Sequence, residues 1–519
     1  MAPTFDYFTG WRLHALTLSI CLSLFLASLE VSIVATSLVE ISADLHNFSE
    51  ISWVISAYLL TYAGFLVIWA RWSDLVGRKG ALTTAITIFT IFSGACGAAQ
   101  SSRQLITFRA LQGLGGSGMT SVTLAIITEM VPPAKYALYS SITAMSFAFS
   151  YLLGPIMGAA INEHTTWRWV FLIDVPAGVM NALMVQLSIT TNFPHHLHPL
   201  HKPAWYSFKT MRRLDLLGCF LLFGASAMLV ASLEEAGLKY QWKSSLIIVL
   251  LLLCGLFWIG FVVFEWFITK KQEDDLGPEP VFPWRFVRNR VFLSMLLCAF
   301  AAGVPFTVSF ITIPQRLQTV NSYSAFDAGV RLMPFATTLP VGSILQSTAA
   351  KRGVPCIILL FIGSCLQVAG TAAQITLPTH VTARMYGEQV ITGLGVGINL
   401  GILILWTPFQ AKGADTSVGM SSVTQIRALG GVVGVAIVTN IFNAHVRNGL
   451  QDVNIPSSAL NLLLQSPYAV SELPIEVQDS VKEVFAEGYR KGLRVLTAFS
   501  AVQVLSVVGM IEPRFRKVV

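Results

Sequence analysis

The chain has 519 residues, 54% hydrophobic and only 12% charged, with a formal net charge of +7. A soluble domain carries roughly 25% charged residues, so this composition excludes an array of soluble domains and specifies a polytopic membrane protein. The basic surplus then belongs to loops that set orientation and excludes a nucleic-acid surface, and the seven scattered cysteines form no disulfide framework.

A membrane helix needs ~20 apolar residues, and fourteen runs meet that length. They lie at about residues 13–38, 51–70, 81–100, 105–131, 138–161, 169–189, 216–233, 246–268, 291–313, 328–350, 354–375, 385–406, 418–442 and 493–511. The start, "MAPTFDYFTG", lacks the regions of a cleavable signal, so span 1 is expected to act as the targeting anchor. The expected fold class is an all-α polytopic membrane protein. Residues 1–190 form an N-terminal six-helix bundle, 191–215 a linker, 216–268 two additional helices, and 291–519 a C-terminal six-helix bundle with a loop at about 443–492.

Span 1 contains "LEVSIVATSLVEISADL", and Glu30 lies about 12 Å from its outer end at 1.5 Å per residue. In the following loop Asn47-Phe48-Ser49 is the chain's only N-x-S/T sequon, a candidate glycosylation site. The loop after span 2 reads "ARWSDLVGRKG" and gathers Asp74, Gly77, Arg78 and Lys79. Span 4 contains "RALQGLGGSGM", in which Gly113, Gly115 and Gly118 spell G-x-G-x-x-G. A dinucleotide turn must follow a strand. None precedes this run, so the glycines are read as a surface for close helix packing. Arg109, about 6 Å below the outer end of span 4, is a permanent charge within an apolar stretch. Glu30 and Arg109 therefore share the outer half of the membrane. Burial disfavours a carboxylate and a neighbouring guanidinium favours it, so a pair that opens and closes is a proton switch. Charge placement alone leaves a static ion pair equally open.

Span 5 carries "YLLGPIMGAA", with Gly154, Pro155 and Gly158, and span 6 opens with "WRWVFLIDVPAG", with Asp174. The linker "TNFPHHLHPLHKPAWYSFKTMRRLD" holds four histidines. Pro194, Pro199 and Pro203 deny them helical spacing, so it is read as solvated chain and no metal site. Pro334 and Pro340 are expected to kink span 10. Span 13 contains "QIRALGGVVGVAI", with Arg427 and the small-xxx-small pair Gly430/Gly434. The amphipathic pieces of the loop before span 14 suggest short surface helices.

An even number of spans puts both ends on one side. The short segments on that side hold twenty Lys and Arg against seven on the other. The positive-inside rule therefore predicts cytoplasmic termini, and the protein is expected in the plasma membrane.

These motifs resemble the major facilitator superfamily, most closely the fourteen-span drug:proton antiporters in their fungal form. "LITFRALQGLGGSG" is similar to the family's span-4 motif through Leu105, Arg109, Gln112, Gly113 and Gly115. The resemblance assigns proton coupling to Arg109, with Glu30 where many members have Asp; Asp174 stands where Asn is common in the family and is a candidate second titrating group. "ARWSDLVGRKG" resembles the loop motif that latches the cytoplasmic side, with Ala70 and Trp72 in place of Gly and Leu. "YLLGPIMGAA" is similar to the antiporter motif, with Ser150 and Ala159 replacing two glycines, and Lys351-Arg352-Gly353 looks like a decayed copy of the latch. By analogy spans 1, 4, 9 and 12 line the cavity, where Phe25, Glu30, Phe306, Glu388, Asn399 and Trp406 are available.

The sequence thus predicts a proton-coupled carrier that exports a small amphipathic compound (a drug, toxin or secondary metabolite) by rocking two bundles about a central site. It is expected to act as a monomer with no cofactor but the proton gradient. The alternatives are an importer of a nutrient or siderophore-type substrate and a transporter-like sensor. An enzyme is not indicated, because the chain has no H-E-x-x-H, G-x-S-x-G or P-loop.

Overall fold

A computed structural model describes residues 7–45, 53–190, 193, 215–236, 240–272, 279–411, 415–450 and 475–512. Fourteen helices among them are long and apolar enough to cross a membrane, and the described chain is nearly all helical. Asn47, most of the histidine-bearing linker and residues 451–474 lie outside the described residues.

The packing divides the helices into two six-helix bundles that repeat one pattern. In the first half, span 4 (Ser102–Met130) packs against span 2 (Trp53–Val76) and span 3 (Arg78–Gly97), while span 1 (Gly10–Ala35) packs against span 5 (Tyr136–His164). In the second half, span 12 (Ala383–Gln410) packs against span 10 (Met333–Lys351) and span 11 (Cys356–Gln374). Span 9 (Arg290–Thr319) packs against span 13 (Thr416–Gly449). Each half therefore uses the same neighbours eight spans apart. The turns after spans 2 and 10 match too: Gly77 (φ 99°) and Gly353 (φ 82°) are both left-handed, a region that only glycine enters without strain. Span 7 (Leu216–Glu235) and span 8 (Ser245–Gln272) pair with each other, and span 7 leans on span 2 and span 13.

Small residues set how closely the helices approach. A Cβ on Gly115 would lie 2.8 Å from the Phe89 Cα and 2.9 Å from the Ala85 carbonyl, so span 4 meets the span 3 backbone only because that position is bare. Gly113 faces the Tyr58 backbone in the same way, Gly154 and Gly158 seat span 5 on Ser32 and Ile33 of span 1, and Gly430 and Gly434 seat span 13 on Phe300 and Val304 of span 9.

Three elements differ from the sequence-based expectation. Span 6 is broken at Ile173 into Arg168–Leu172 and Asp174–Ser188, so Asp174 begins the second piece. Span 10 is likewise preceded by the separate helix Ala325–Arg331, with Pro334 placed in the first turn of the next, where its missing N–H costs nothing. Both described ends of the loop expected at 443–492 are helix: span 13 continues to Gly449, and the last helix runs from Ile475 to Val508. Val481, Phe485, Ala486 and Tyr489 bury against Phe442, Val446 and Leu450, and this apolar stripe makes the segment one continuous helix with span 14.

Candidate functional site

Span 1 brings Glu30, span 4 brings Arg109 and Gln112, and span 6 brings Asp174 to one buried point in the first bundle. Glu30, Arg109 and Gln112 are each 0% exposed and Asp174 is 1% exposed. Arg109 Nη1 donates to Glu30 Oε2 and, at 2.7 Å, to Gln112 Oε1, while its Nε donates to the Val54 carbonyl at 3.0 Å. Gln112 Nε2 donates to Glu30 Oε1 at 2.5 Å and to Ser93 Oγ at 3.1 Å. Ser93 Oγ in turn donates to the Phe171 carbonyl at 2.8 Å. The i, i+3 spacing of Arg109 and Gln112 puts both on one helix face, so one turn of span 4 clamps both carboxylate oxygens. The guanidinium also lies over the Tyr58 ring at 4.4 Å and the Phe171 ring at 5.5 Å, a cation–π seat in a dry site.

Asp174 is the second carboxyl here. Glu30 and Ser93 are its polar neighbours, yet neither of its oxygens makes a hydrogen bond of good geometry, and neither does Arg109 Nη2. A buried group left incompletely bonded costs free energy, so this cluster gains from any rearrangement that brings a proton or a new partner.

The two halves are joined at the ends near the termini. Ser417 Oγ of span 13 donates to both Asp74 oxygens at 2.7 and 2.8 Å. Asp74 in turn pairs with Arg78 at 2.6 Å, and Arg78 pairs with Glu129 of span 4 at 2.6 Å. Arg71 donates to the Pro280 carbonyl and to Glu279, and lies 3.7 Å from Asp415, which also pairs with Arg285. Across the pseudo-repeat, Ser347 donates to the Ala137 carbonyl and Ser141 to the Ser343 carbonyl. Lys79 instead caps the end of span 6 through the Gln186 and Ile189 carbonyls.

Midway along the seam Tyr151 stacks on Phe310 at 4.6 Å and meets Phe306 edge-on at 5.3 Å, crossing from one half to the other. Arg427 lies there half-buried, its guanidinium 5.4 Å from the Phe147 ring and 5.2 Å from Phe306, and it makes no ion pair among the described residues.

The remaining expected positions are not all at this seam. Glu388 sits in the second turn of span 12, bound by Arg384 at 2.6 Å, near the end remote from the termini. Asn399 turns away toward span 11, bonded to Gln367 at 3.0 Å and Ser364 at 3.4 Å. Trp406 is buried in the apolar cluster that joins the second half to Val67, Ala70 and Ala137 of the first. Sequence reasoning missed Ser93, Tyr58, Glu129, Arg71, Asp415 and Ser417. Arg71 stood within the quoted loop motif, and Asp415 was legible as an acid at the mouth of span 13.

The family model of the Major Facilitator Superfamily matches residues 20–278. The chain is 40% identical over 514 residues to the MFS-type transporter FPY5 of Fusarium mangiferae, covering 98% of this chain and 85% of that protein. It is 28% identical to the MFS-type efflux pump MFS1 of Arthroderma benhamiae, covering 98% and 92%. Among solved structures it resembles the human organic anion transporter MFSD10 with a TM-score of 0.61 at 12% identity, covering 97% of this chain and 100% of that one, a likeness of fold.

Proposed function

From the premise that this chain belongs to the major facilitator superfamily, a family of membrane transporters, we propose that it exports a small amphipathic organic compound in exchange for protons. The observation that carries this reading is the buried cluster of Glu30, Arg109, Gln112 and Asp174. It holds one guanidinium for two carboxyl groups, and two carboxylates at close range in a low-dielectric site do not both ionise. Electroneutrality then calls for one proton on the pair. Protonation of Glu30 weakens its hold on Arg109 and frees span 1 to move against span 4; deprotonation restores the clamp. The similarity to a protein named an efflux pump supports the outward direction.

In this reading the termini are cytoplasmic and the protein resides in the plasma membrane as a monomer. The seam through Asp74, Ser417, Ala137 and Ser347 is then the cytoplasmic gate, closed in this conformation. The substrate passes the aromatic layer of Tyr151, Phe306 and Phe310, where Arg427 offers unpaired donors to an anionic or carbonyl oxygen. The test is dye export from cells expressing the chain, with the proton gradient intact or collapsed by a protonophore. Loss of export on collapse supports antiport, and unchanged export refutes it.

A further inference from the structure

The two additional helices carry a pair of buried acids that transport through the central seam does not use. Asp215 opens span 7 and Glu265 lies in span 8; they are 2% and 1% exposed. A Cβ on Gly218 would overlap Asp215 Oδ2 and lie 2.9 Å from Glu265 Oε1, so the two carboxyls crowd one spot that only a glycine leaves open. Asp215 Oδ1 accepts from the Gly218 amide at 2.7 Å and caps span 7. A helix N-terminus favours the ionised form of such a group. Asp215 Oδ2 and both oxygens of Glu265 make no hydrogen bond of good geometry.

The cation nearby is already committed. Arg71 of span 2 is the charged group whose field reaches both acids. It spends its donors on the Pro280 carbonyl and Glu279, with Asp415 at 3.7 Å and Asp74 at 3.8 Å. Cys219, one turn into span 7, is the other titratable neighbour. From the segment 279–289 that follows span 8, the pair meets the backbones of Val281 and Phe282. This segment roofs the two acids. Val281 and Phe286 bury in an apolar cluster with Leu222 of span 7, Phe261 of span 8 and Val67 of span 2, and the Trp284 amide donates to Thr269 of span 8 at 3.0 Å. Arg71 grips the same segment from span 2, and Arg285 ties it to Asp415 at the start of span 13.

Two carboxylates at close range in a dry site do not both ionise, and here no guanidinium is left to offset the second charge. We propose that Asp215 and Glu265 form a second proton-binding site, separate from the Glu30 cluster, whose proton keeps the segment 279–289 closed over the ends of spans 2 and 13. The proton sits on Glu265 and is donated to Asp215 Oδ2, so a hydrogen bond replaces a repulsion. Its loss leaves two anions under the roof, and water reaches them only when the segment lifts. Arg71 and Asp415, which anchor the segment, stand three and two residues before the gate residues Asp74 and Ser417, so lifting also loosens the gate. The site stands independently of the proton-antiport reading.

The experiment uses the purified full chain and two readouts. Difference infrared spectroscopy at neutral pH, in a Glu30→Gln/Asp174→Asn background that removes the other acid pair, should show a protonated-carboxyl band that is lost in Glu265→Gln. Hydrogen exchange of residues 279–289, corrected for the intrinsic rate, reads the roof. In the wild type its opening should rise about tenfold per pH unit on the alkaline side, the slope of one released proton. Glu265→Gln and Asp215→Asn each leave a single acid beside Arg71 and should remove that slope. Asp215→Asn retains a capping side chain and carries the test where Glu265→Gln fails to fold. A carboxyl band unchanged by Glu265→Gln, a wild-type opening that does not rise with pH, or the same slope in the folded variants overturns the site.

Discussion

Glu30→Gln is the perturbation that bears most directly on the coupling cluster. The amide keeps the volume of the carboxyl and mimics its protonated form. It leaves Arg109, 0% exposed, bonded to the Val54 carbonyl and Gln112 but without its bonded counter-ion. Removing one partner of a buried ion pair costs about 3–5 kcal/mol. A tenfold change in population corresponds to about 1.4 kcal/mol, so the clamped conformer should lose roughly two to three and a half powers of ten in population. Two readouts follow. In inside-out vesicles with an imposed pH gradient, dye uptake driven by the gradient should fall about a hundredfold. Exchange of labelled for unlabelled dye, which needs no net proton movement, should persist. Arg109→Ala strands the opposite charge and should abolish both. Gradient-driven transport at the wild-type rate in Glu30→Gln, with its pH dependence intact, would refute the reasoning and leave the cluster a structural ion pair.

Asp74→Asn removes the charge that binds Arg78 and weakens the acceptor for Ser417. A cysteine at Ser421, which bonds Ser121 across the seam, should then react about tenfold faster with an impermeant maleimide from the cytoplasmic side, whereas an unchanged rate would make Asp74 a topology residue only. Gly115→Leu drives a side chain into the span 3 backbone and should cost about 1–3 kcal/mol or more, read as a lowered Tm in detergent; a wild-type Tm would show that spans 3 and 4 are not in backbone contact. Arg427→Gln should reduce cellular export of an anionic xanthene dye such as fluorescein more than that of its cationic relative rhodamine, and equal effects would remove Arg427 from the substrate path. An epitope tag at the C-terminus should be reached by antibody only after permeabilisation, while staining of intact cells would reverse the orientation; a glycan lost in Asn47→Gln would support it independently.

The number of spans and the identity of the charged residues inside them were legible in the sequence, because hydropathy over ~20 residues reports what a bilayer selects. The pairing of Glu30 with Arg109 was legible too. A helix rises 1.5 Å per residue whatever its neighbours, so counting from the ends of spans 1 and 4 fixed both charges at one depth. The glycines of span 4 could be assigned to packing because no strand precedes them. Azimuth was not legible. A helix buried among others is apolar on most sides, and its periodicity does not say which face meets which neighbour. Asn399 therefore seemed available to the cavity until the packing of span 12 turned it toward Gln367, and Glu388 was assigned by span and not by its height within it. Contacts between distant parts of the chain were equally silent. Asp74 reaches Ser417 only because two bundles close on one another, and Arg71 reaches Pro280 only because the segment after span 8 folds back on span 2. Sequence fixes the depth of each charge through the helical rise; the partner each charge meets is set by the rotation of whole helices in the packed bundle.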